Sequence, residues 1–387
     1  MKIQGFLKDI SGFFRLIKNR KNAIKNADET KISDDEISKI ARMIHPGKVN
    51  ATVKEIVNET NDSKRITFVL ETPPYFKAGN YLTIELKIGE VTTSRAYSII
   101  TTPKEAYKTK EVSIIVKDYK NGFVSKYLNH ELNVNDKVIL EIGLGQFNYE
   151  KYRDKQSLVF IAGGAGITPF ISMAYDILER ELDNQITIIY GSDNPNQIIA
   201  KKELDELKSK GINVVHVISG KYDFDGEKGF ITREIIERYA PINSSYFISG
   251  PRALYDHVLP ILSDMGINLL KVRAESFPIS DISKHPDYPK EFINKEFNIE
   301  VHQGLDVKTI KALSNESIAT SLERNGYIIH TACRGGSCGV CRIKVISGDY
   351  FIPKENDKRR YTDKEYNYVH SCSTYPLSDM KIKINII

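Results

Sequence analysis

All four cysteines of this 387-residue chain lie near its C-terminal end, and their spacing limits what that segment can fold around. Cys333, Cys338 and Cys341 follow the pattern C-x4-C-x2-C, and Cys372 comes later. This spacing is typical of the four thiolates that hold a plant-type [2Fe–2S] cluster. The glycines between the first three cysteines let the loop curl and turn amide groups toward anionic sulfur. The segment is therefore predicted to bind a cluster that passes single electrons.

A structural zinc site is the main alternative for four cysteines. Zinc motifs usually pair their ligands as two C-x2-C units with little glycine between them, and this chain has one such unit. A disulfide framework suits a small secreted chain, whereas this chain is long and shows no signal-peptide pattern. The iron–sulfur cluster is therefore favoured.

Length and composition indicate about two to three domains with full hydrophobic cores. Hydrophobic residues make up 41% of the chain and charged residues 27%. No uninterrupted apolar run reaches about 18 residues, so no membrane-spanning helix is expected. The net charge of +5 is mild, and no nucleic-acid motif accompanies it, so no DNA or RNA partner is expected. Free thiols held for a cluster predict a cytoplasmic protein.

The N-terminal residues predict a basic amphipathic helix. Apolar side chains recur at helical spacing over residues 3–17, at Ile3, Phe6, Leu7, Ile10, Phe13, Phe14 and Ile17. Basic residues surround this stripe, and Asp9 is its one acid. Such a helix docks on an anionic membrane surface or a partner, or packs on its own domains. Ser33 and Glu36 form a capping box that predicts a second short helix ending before Pro46.

The periodicity then changes twice along the chain. Alternating apolar residues predict an antiparallel β-barrel, as in the run that begins at Ile66. After residue 156, short apolar strands alternate with glycine loops and helices, which predicts an α/β domain with a parallel sheet. Prolines mark a polar linker, and a final domain ends in an alternating strand. The predicted division of the chain is 1–48, an N-terminal helical extension; 49–153, the barrel; 154–277, the parallel-sheet domain; 278–294, the linker; and 295–387, the cysteine-containing domain.

Two short motifs in the barrel have the chemistry that a flavin needs. Arg95-Ala-Tyr97-Ser98 offers a cation for phosphate, an aromatic face and a hydroxyl at a predicted strand end. Gly122 and Ser125 open a predicted helix whose N-terminus attracts pyrophosphate. Each motif is weak when taken alone, because a strand tyrosine such as Tyr97 is more often ordinary core.

A glycine-rich turn follows the first strand of the parallel sheet. Its residues run Gly163-Gly164-Ala-Gly166-Ile-Thr168-Pro169, with Thr168 expected as the N-cap of the next helix. Glycines here let a nicotinamide approach closely, although the same turn also serves helix–sheet packing. The sequence does not follow G-x-G-x-x-G, so it does not predict an ordinary Rossmann site.

Taken together, the motifs resemble the ferredoxin–NADP reductase superfamily over about residues 49–387. The matching segments, in order, are R-x-Y-S, G-x-x-S, G-G-x-G-I-T-P, Tyr190-Gly191, Ser249-Gly250-Pro251 and Glu275-Ser-Phe277. With the C-terminal cysteines, the likeness narrows to the phthalate dioxygenase reductase type and to the NADH reductase that serves hybrid cluster protein. It implies an FAD-binding barrel, an NAD-binding α/β domain and an α+β ferredoxin domain of the β-grasp type.

The resemblance also implies roles for individual residues. Arg95 is expected at the flavin phosphate, Tyr97 at the ring, and Ser98, one of three expected catalytic residues, at the reactive N5. Gly122 and Ser125 are expected to bind the pyrophosphate, and Gly164, Gly166 and Thr168 to line the path of the nicotinamide and its phosphates. Gly250 and Pro251 are expected to border the nicotinamide pocket, and the other two catalytic residues are Phe277, which would cover the flavin face, and Glu275 beside it. The expected cluster ligands are Cys333, Cys338, Cys341 and Cys372.

Two positions depart from the family pattern. Ser249 stands where relatives often have cysteine, so no thiol lies beside the nicotinamide. Asp193 stands where many relatives have arginine, and a carboxylate there would accept hydrogen bonds from a ribose and repel a 2′-phosphate. NADH is therefore expected rather than NADPH, unless Asp193 is a solvated loop acid. FAD is expected rather than FMN because Gly122 to Ser125 head a helix.

These features predict an NADH-dependent reductase that passes electrons through FAD and the [2Fe–2S] cluster to a separate metalloprotein. The expected acceptors are an oxygenase, a desaturase, hybrid cluster protein or another metalloenzyme. One alternative is a component of a membrane-surface electron-transfer assembly, docked by the N-terminal helix within residues 1–25. Another is a flavin, ferric or quinone reductase in which the cluster is a side branch.

Overall fold

A computed structural model describes residues 3–25, 37, 40–41, 47–119, 122–241, 243–275 and 281–384. The chain divides into two units, Met1–His45 and Pro46–Ile387. The first unit contains the helix α1 (Ile3–Lys25), which confirms the predicted N-terminal helix. Most of the predicted second helix lies outside the described residues. Among the described residues, no helix has the length and hydropathy needed to cross a bilayer.

The second unit begins with the predicted antiparallel barrel. Its elements are β1 (Lys48–Thr60), β2 (Ser63–Leu70), β3 (Tyr81–Ile88), β4 (Val91–Ser98), α2 (Pro103–Thr109), β5 (Glu111–Lys117), α3 (Phe123–His130) and β6 (Lys137–Leu144). The described strands form a sheet in the order β4-β3-β6-β1-β2-β5, and a bridge from Ile99 to Ile114 joins its two ends. Alternation buries Ile66 and Phe68 completely, because every second side chain faces the interior.

The next domain is the predicted parallel sheet with helices on both faces. Its elements are β7 (Ser157–Gly163), α4 (Thr168–Glu179), β8 (Gln185–Ser192), α5 (Lys201–Ser209), β9 (Asn213–Ile218), β10 (Glu227–Lys228), α6 (Arg233–Tyr239), β11 (Ser245–Ser249), α7 (Arg252–Asp264) and β12 (Arg273–Ala274). The strands run parallel in the order β10-β9-β8-β7-β11-β12. Separate apolar clusters cover the two faces, as expected for a parallel sheet.

The segment predicted as a polar linker packs more closely than a free spacer would. Within its described part, Ile282 and Tyr288 are almost fully buried and form an apolar cluster with Tyr375. The ring of Tyr288 also meets Phe351 edge to face, with centroids 5.4 Å apart. Prolines indicated a chain that does not continue a helix, but they did not indicate this burial.

The C-terminal domain is a mixed sheet with helices packed on it. Its elements are β13 (Glu296–Gln303), β14 (Asp306–Leu313), α8 (Ile318–Arg324), β15 (Arg342–Ser347), β16 (Tyr350–Phe351), α9 (Tyr361–Glu365), β17 (Tyr368–His370), β18 (Tyr375–Pro376) and β19 (Met380–Ile384). The larger sheet has the order β14-β13-β19-β15-β17, with β13 and β19 parallel. The cysteine loop connects α8 to β15 and is anchored at both ends by this core.

Candidate functional site

The four cysteines form two close pairs. The thiols of Cys333 and Cys338 hydrogen-bond to each other, and so do those of Cys341 and Cys372. Within the first pair, the Cys338 thiol, the Ser337 hydroxyl and nearby amides lower the pKa of Cys333. The Ser337 hydroxyl lies 3.2 Å from the Cys333 sulfur. Such donors favour a thiolate, which is the form that binds iron.

This pairing fits a [2Fe–2S] cluster better than a single zinc ion. A [2Fe–2S] cluster has two irons, each with two thiolate ligands, whereas structural zinc needs four ligands around one point. Two thiol pairs side by side are therefore the donor set that the cluster requires.

The cysteine loop is held in shape by residues that its sequence motif does not include. Gly336 has φ +78°, and a Cβ there would lie 2.3 Å from the carbonyl oxygen of Asn356. The Asn356 amide donates to the carbonyl oxygen of Gly335 at 2.9 Å. His370 Nδ1 donates to the carbonyl oxygen of Gly336 at 2.6 Å. Asn356 and His370 were not predicted, because only the folded chain brings them to the loop.

Strand β4 carries the predicted flavin residues. Arg95 donates through Nη1 to Thr93 Oγ1 at 2.7 Å and to the carbonyl oxygen of Ser94 at 2.8 Å. Burial, with the nearby Arg334 guanidinium, lowers the pKa of Arg95 to about 10. A cation removed from water and close to a second cation favours an anion beside it, and a flavin phosphate meets that need. Tyr97 packs against the barrel core, and burial raises its pKa.

The second flavin motif begins a helix as predicted. Gly122 is the N-cap of α3, which starts at Phe123. A Cβ at Gly122 would lie 2.0 Å from Ser125 Oγ, so a larger residue here would force the Ser125 hydroxyl to move. Ser125 Oγ in turn accepts from the backbone amide of Tyr119 at 3.4 Å. The free amides of this helix end fit a pyrophosphate.

The glycine turn after β7 touches the segment that follows β11. A Cβ at Gly166 would lie 2.1 Å from the carbonyl oxygen of Ser249, and a Cβ at Gly250 would lie 3.0 Å from the amide nitrogen of Gly163. Gly164 has φ +51° with open space around it, and its carbonyl oxygen accepts from the Tyr190 hydroxyl at 3.0 Å. Glycines therefore let the two loops meet at the carboxyl edge of the sheet, where ligands of such sheets bind.

The expected N-cap role of Thr168 is wrong. A 3-10 turn over Gly164–Ile167 runs directly into α4, so Ile167 is the N-cap and Thr168 is already helical. The Thr168 hydroxyl donates backwards to the carbonyl oxygen of Ala165 at 2.8 Å. Pro251 caps the following helix α7 in an extended conformation, next to Gly250.

Three side chains from different segments meet where the barrel and the parallel sheet adjoin. Ser249 Oγ donates to Glu275 Oε2 at 2.8 Å, and Ser98 also hydrogen-bonds to the Glu275 carboxyl. Burial raises the pKa of Glu275 to about 7, although both serine hydrogen bonds lower it. The structure thus brings the predicted Ser98 and Glu275 together and gives the unexpected Ser249 a hydrogen-bonding role.

Two further predicted residues lie apart from this group. Asp193 is exposed just beyond β8, and its Oδ1 accepts from the Ser219 hydroxyl at 3.0 Å. It lies at the carboxyl edge of the sheet, as an adenosine-ribose ligand requires. Phe277 falls in residues 276–280, outside the described residues.

Comparison with known proteins gives three matching family models. They are the oxidoreductase FAD-binding domain over residues 50–149, the oxidoreductase NAD-binding domain over residues 160–259, and the 2Fe-2S iron-sulfur cluster binding domain over residues 304–377. Their order matches the three sheets described above. The chain therefore has the domains for FAD, a nicotinamide nucleotide and a [2Fe–2S] cluster.

Two relatives align with most of this chain and with nearly all of their own length. The glycine betaine monooxygenase reductase subunit of Chromohalobacter salexigens is 24% identical over 87% of this chain and 95% of the relative. One subunit of the 1,2-phenylacetyl-CoA epoxidase of Escherichia coli is 26% identical over 84% of this chain and 94% of the relative. The solved structure of phthalate dioxygenase reductase matches the fold with a TM-score of 0.67, at 21% identity, over 88% of this chain and 98% of that chain. The chain therefore carries FAD-binding, NAD-binding and 2Fe-2S domains in the arrangement of phthalate dioxygenase reductase, as its resemblance to the ferredoxin–NADP reductase superfamily implied.

Proposed function

We propose that this chain is the reductase component of a two-protein system, and that it passes electrons from NADH through FAD and its [2Fe–2S] cluster to an oxygenase. When bound, the flavin supplies hydride acceptance and the cluster supplies single-electron transfer. Strand β4 is the observation that carries the proposal. Its Ser98 end contacts Glu275, and its Thr93–Ser94 part contacts the loop that leads into the cysteines.

The length of β4 sets the separation of these two ends. Thr93 and Ser98 are five residues apart, and an extended strand rises about 3.3 Å per residue, so they lie about 17 Å apart. One strand therefore holds Ser98 and the contacts to the cysteine loop on a common frame. The close contacts of Gly166 and Gly250 hold the loops after β7 and β11 together at the carboxyl edge of the parallel sheet, where a nicotinamide nucleotide would bind.

The first test measures the cofactor content of the purified protein and its reduction of a one-electron acceptor. Protein purified without oxygen is expected to contain about two iron, two sulfide and one FAD per chain. NADH should then reduce cytochrome c, a one-electron protein acceptor, in a cluster-dependent reaction. Zinc in place of iron, or no flavin, would contradict the proposal.

The oxygenase partner is proposed from the relatives, whose names include monooxygenase and epoxidase subunits. The test is reconstitution: the purified chain with NADH should support turnover of an oxygenase captured with it. Desaturases and hybrid cluster protein are the other acceptors to assay. Efficient transfer to one of these, with none to the oxygenase, would replace this assignment.

Nucleotide preference is proposed from Asp193, with NADH as the favoured donor. One oxygen of its carboxylate is committed to Ser219, which orients the group so that the second oxygen can accept from a ribose. A ribose with two hydroxyls can bind such a carboxylate, whereas a 2′-phosphate would be repelled. The kcat/KM values for NADH and NADPH measure the preference directly, and a wild-type preference for NADPH would contradict it.

A second proposed role is docking of α1 on an anionic membrane surface. Phe13 and Phe14 are 60% and 64% exposed, and Leu16 is also exposed. Basic side chains, including Arg15 and Lys18, interleave with them on a helix that has no acid after Asp9. Apolar side chains flanked by positive charge suit the interface of an anionic bilayer.

Deletion of residues 1–25 separates docking from chemistry. Co-sedimentation with vesicles of anionic lipid should be lost, whereas NADH–ferricyanide activity should remain. Vesicles of neutral lipid are the matched control, because the charge attraction disappears there. Equal sedimentation of the full and shortened chains would refute this role.

A further inference from the structure

The barrel and the cysteine-containing domain are joined by a largely buried group of four side chains, which we call the latch. Its members are Thr93 and Arg95 on β4, Glu323 at the end of α8, and Arg334, the residue after Cys333. Thr93 is 3% exposed, Glu323 2% and Arg334 6%. The latch therefore connects the strand proposed to bind the flavin with the loop that carries the first cluster ligand.

The Thr93 hydroxyl is the centre of the latch. Its oxygen accepts from Arg95 Nη1 at 2.7 Å and from Arg334 Nη2 at 2.9 Å, and it donates to Glu323 Oε2 at 3.0 Å. A hydroxyl has one proton and two lone pairs, so all of its hydrogen-bonding capacity is used. This one hydroxyl therefore links two cations and a carboxylate that come from two domains.

The charges of the latch make these hydrogen bonds important. Arg334 and Glu323 form a buried ion pair, and Arg334 Nε has no hydrogen-bond partner among the described residues. Buried ions need their remaining hydrogen bonds satisfied, so loss of the hydroxyl would leave both groups short of a partner. Arg334 also has φ +51°, a backbone conformation that residues other than glycine rarely adopt. The shape of the cysteine loop beside Cys333 therefore depends on the contacts of the Arg334 side chain.

The latch has two guanidinium groups and one carboxylate, which leaves one positive charge in excess. A phosphate at Arg95 would balance this charge. Because Arg95 donates to the Thr93 hydroxyl, a phosphate bound there would also affect the hydroxyl that accepts from Arg334. Resting on the proposed function, we infer that Thr93 is a positioning residue that couples flavin binding to docking of the cysteine-containing domain. Because such coupling is reciprocal, a docked domain should also strengthen flavin retention.

The experiment removes the hydroxyl while keeping the size of the side chain. In the holoprotein, Thr93→Val should slow reduction of the cluster after NADH addition by about tenfold and raise the FAD dissociation constant, as expected for lost hydrogen bonds to charged groups. NADH–ferricyanide activity per bound FAD should fall much less than the rate of cluster reduction. Stopped-flow absorbance separates flavin reduction from cluster reduction in one trace.

Three further variants make the result specific. Thr93→Ser keeps the hydroxyl and should restore the wild-type rate. Thr67→Val is the matched control, because Thr67 is a buried strand threonine of the same barrel whose hydroxyl bonds to Ser113, within the barrel. If valine at position 93 prevents folding, Thr93→Ala removes the same hydroxyl without added bulk, and the same slowing is expected.

The outcomes distinguish this inference from the proposed function. A wild-type protein without FAD or without the cluster would overturn both. A normal wild type, together with a Thr93→Val protein whose cluster is reduced as fast as in Thr67→Val, would overturn the coupling alone. Equal slowing in Thr93→Ser and Thr93→Val would also overturn it, because the hydroxyl would then not be responsible.

Discussion

Ionisation of Glu275 should control the pH dependence of this reductase. Its carboxyl pKa moves from 4.5 to about 7 because the group is removed from water between the barrel and the parallel sheet. At 1.36 kcal/mol per pKa unit, this difference corresponds to about 3 kcal/mol. The folded chain therefore holds this proton more tightly than the unfolded chain does.

The raised pKa also fixes the sign of the effect on stability. The stabilisation from the neutral carboxyl is fully present below pH 4.5 and is lost as the pH rises toward about 7. Glu275→Gln keeps a neutral side chain of similar size and cannot ionise. The variant should therefore gain stability over the wild type as the pH rises, by up to about 3 kcal/mol at alkaline pH.

The assay is the pH profile of kcat/KM for NADH with ferricyanide, because this parameter reports ionisations of the free enzyme. The wild type should show a step near pH 7, and Glu275→Gln should lose it. Ser249→Ala is the sharper test, because the Ser249 hydrogen bond lowers the Glu275 pKa and its loss should move the step to higher pH. A step that persists in Glu275→Gln, or that moves to lower pH in Ser249→Ala, would refute the reasoning.

Three other substitutions test the cluster, the nucleotide site and the flavin cover. Cys338→Ser should abolish cluster absorption and cytochrome c reduction while ferricyanide reduction continues from the flavin, and wild-type cytochrome c activity would contradict the ligand assignment. The wild type should prefer NADH over NADPH by at least about tenfold in kcat/KM, which corresponds to about 1.4 kcal/mol, and Asp193→Arg should reduce this preference. An unchanged ratio of the two kcat/KM values would argue against ribose binding by Asp193. Phe277→Ala should bind nicotinamide more tightly and release more hydrogen peroxide under turnover, because the resemblance places its aromatic ring on the flavin face that the nicotinamide needs. Unchanged affinity and peroxide yield would indicate ordinary packing at Phe277.

Periodic patterns predicted the described strands well, because they depend on local geometry. Ile66 and Phe68 alternate in the sequence, and both are fully buried in β2. The continuous apolar run from Leu158 to Ala162 is buried on both faces of its sheet. Both outcomes follow from the two-residue period of a strand and from whether one face or two are covered.

Local sequence patterns gave wrong predictions where contacts with neighbouring segments determined the structure. Thr168 has the side chain of an N-cap, but the preceding 3-10 turn already starts the helix. Tyr288 lies in a segment that prolines mark as a linker, yet it is buried by Tyr375 and Phe351. In each case, tertiary packing supplied a partner that the local sequence does not contain.

The sequence by itself determined the donor types and the order of the domains. Cys333, Cys338 and Cys341 lie within one loop, so their spacing alone predicts a cluster site. Only the tertiary structure decided which distant side chains meet. Thr93 and Glu323 are 230 positions apart and form a direct hydrogen bond, and Glu275 acquires its raised pKa from burial beside segments that no local pattern connects. Burial and contact depend on how the domains pack together, and a short sequence motif has no information about that packing.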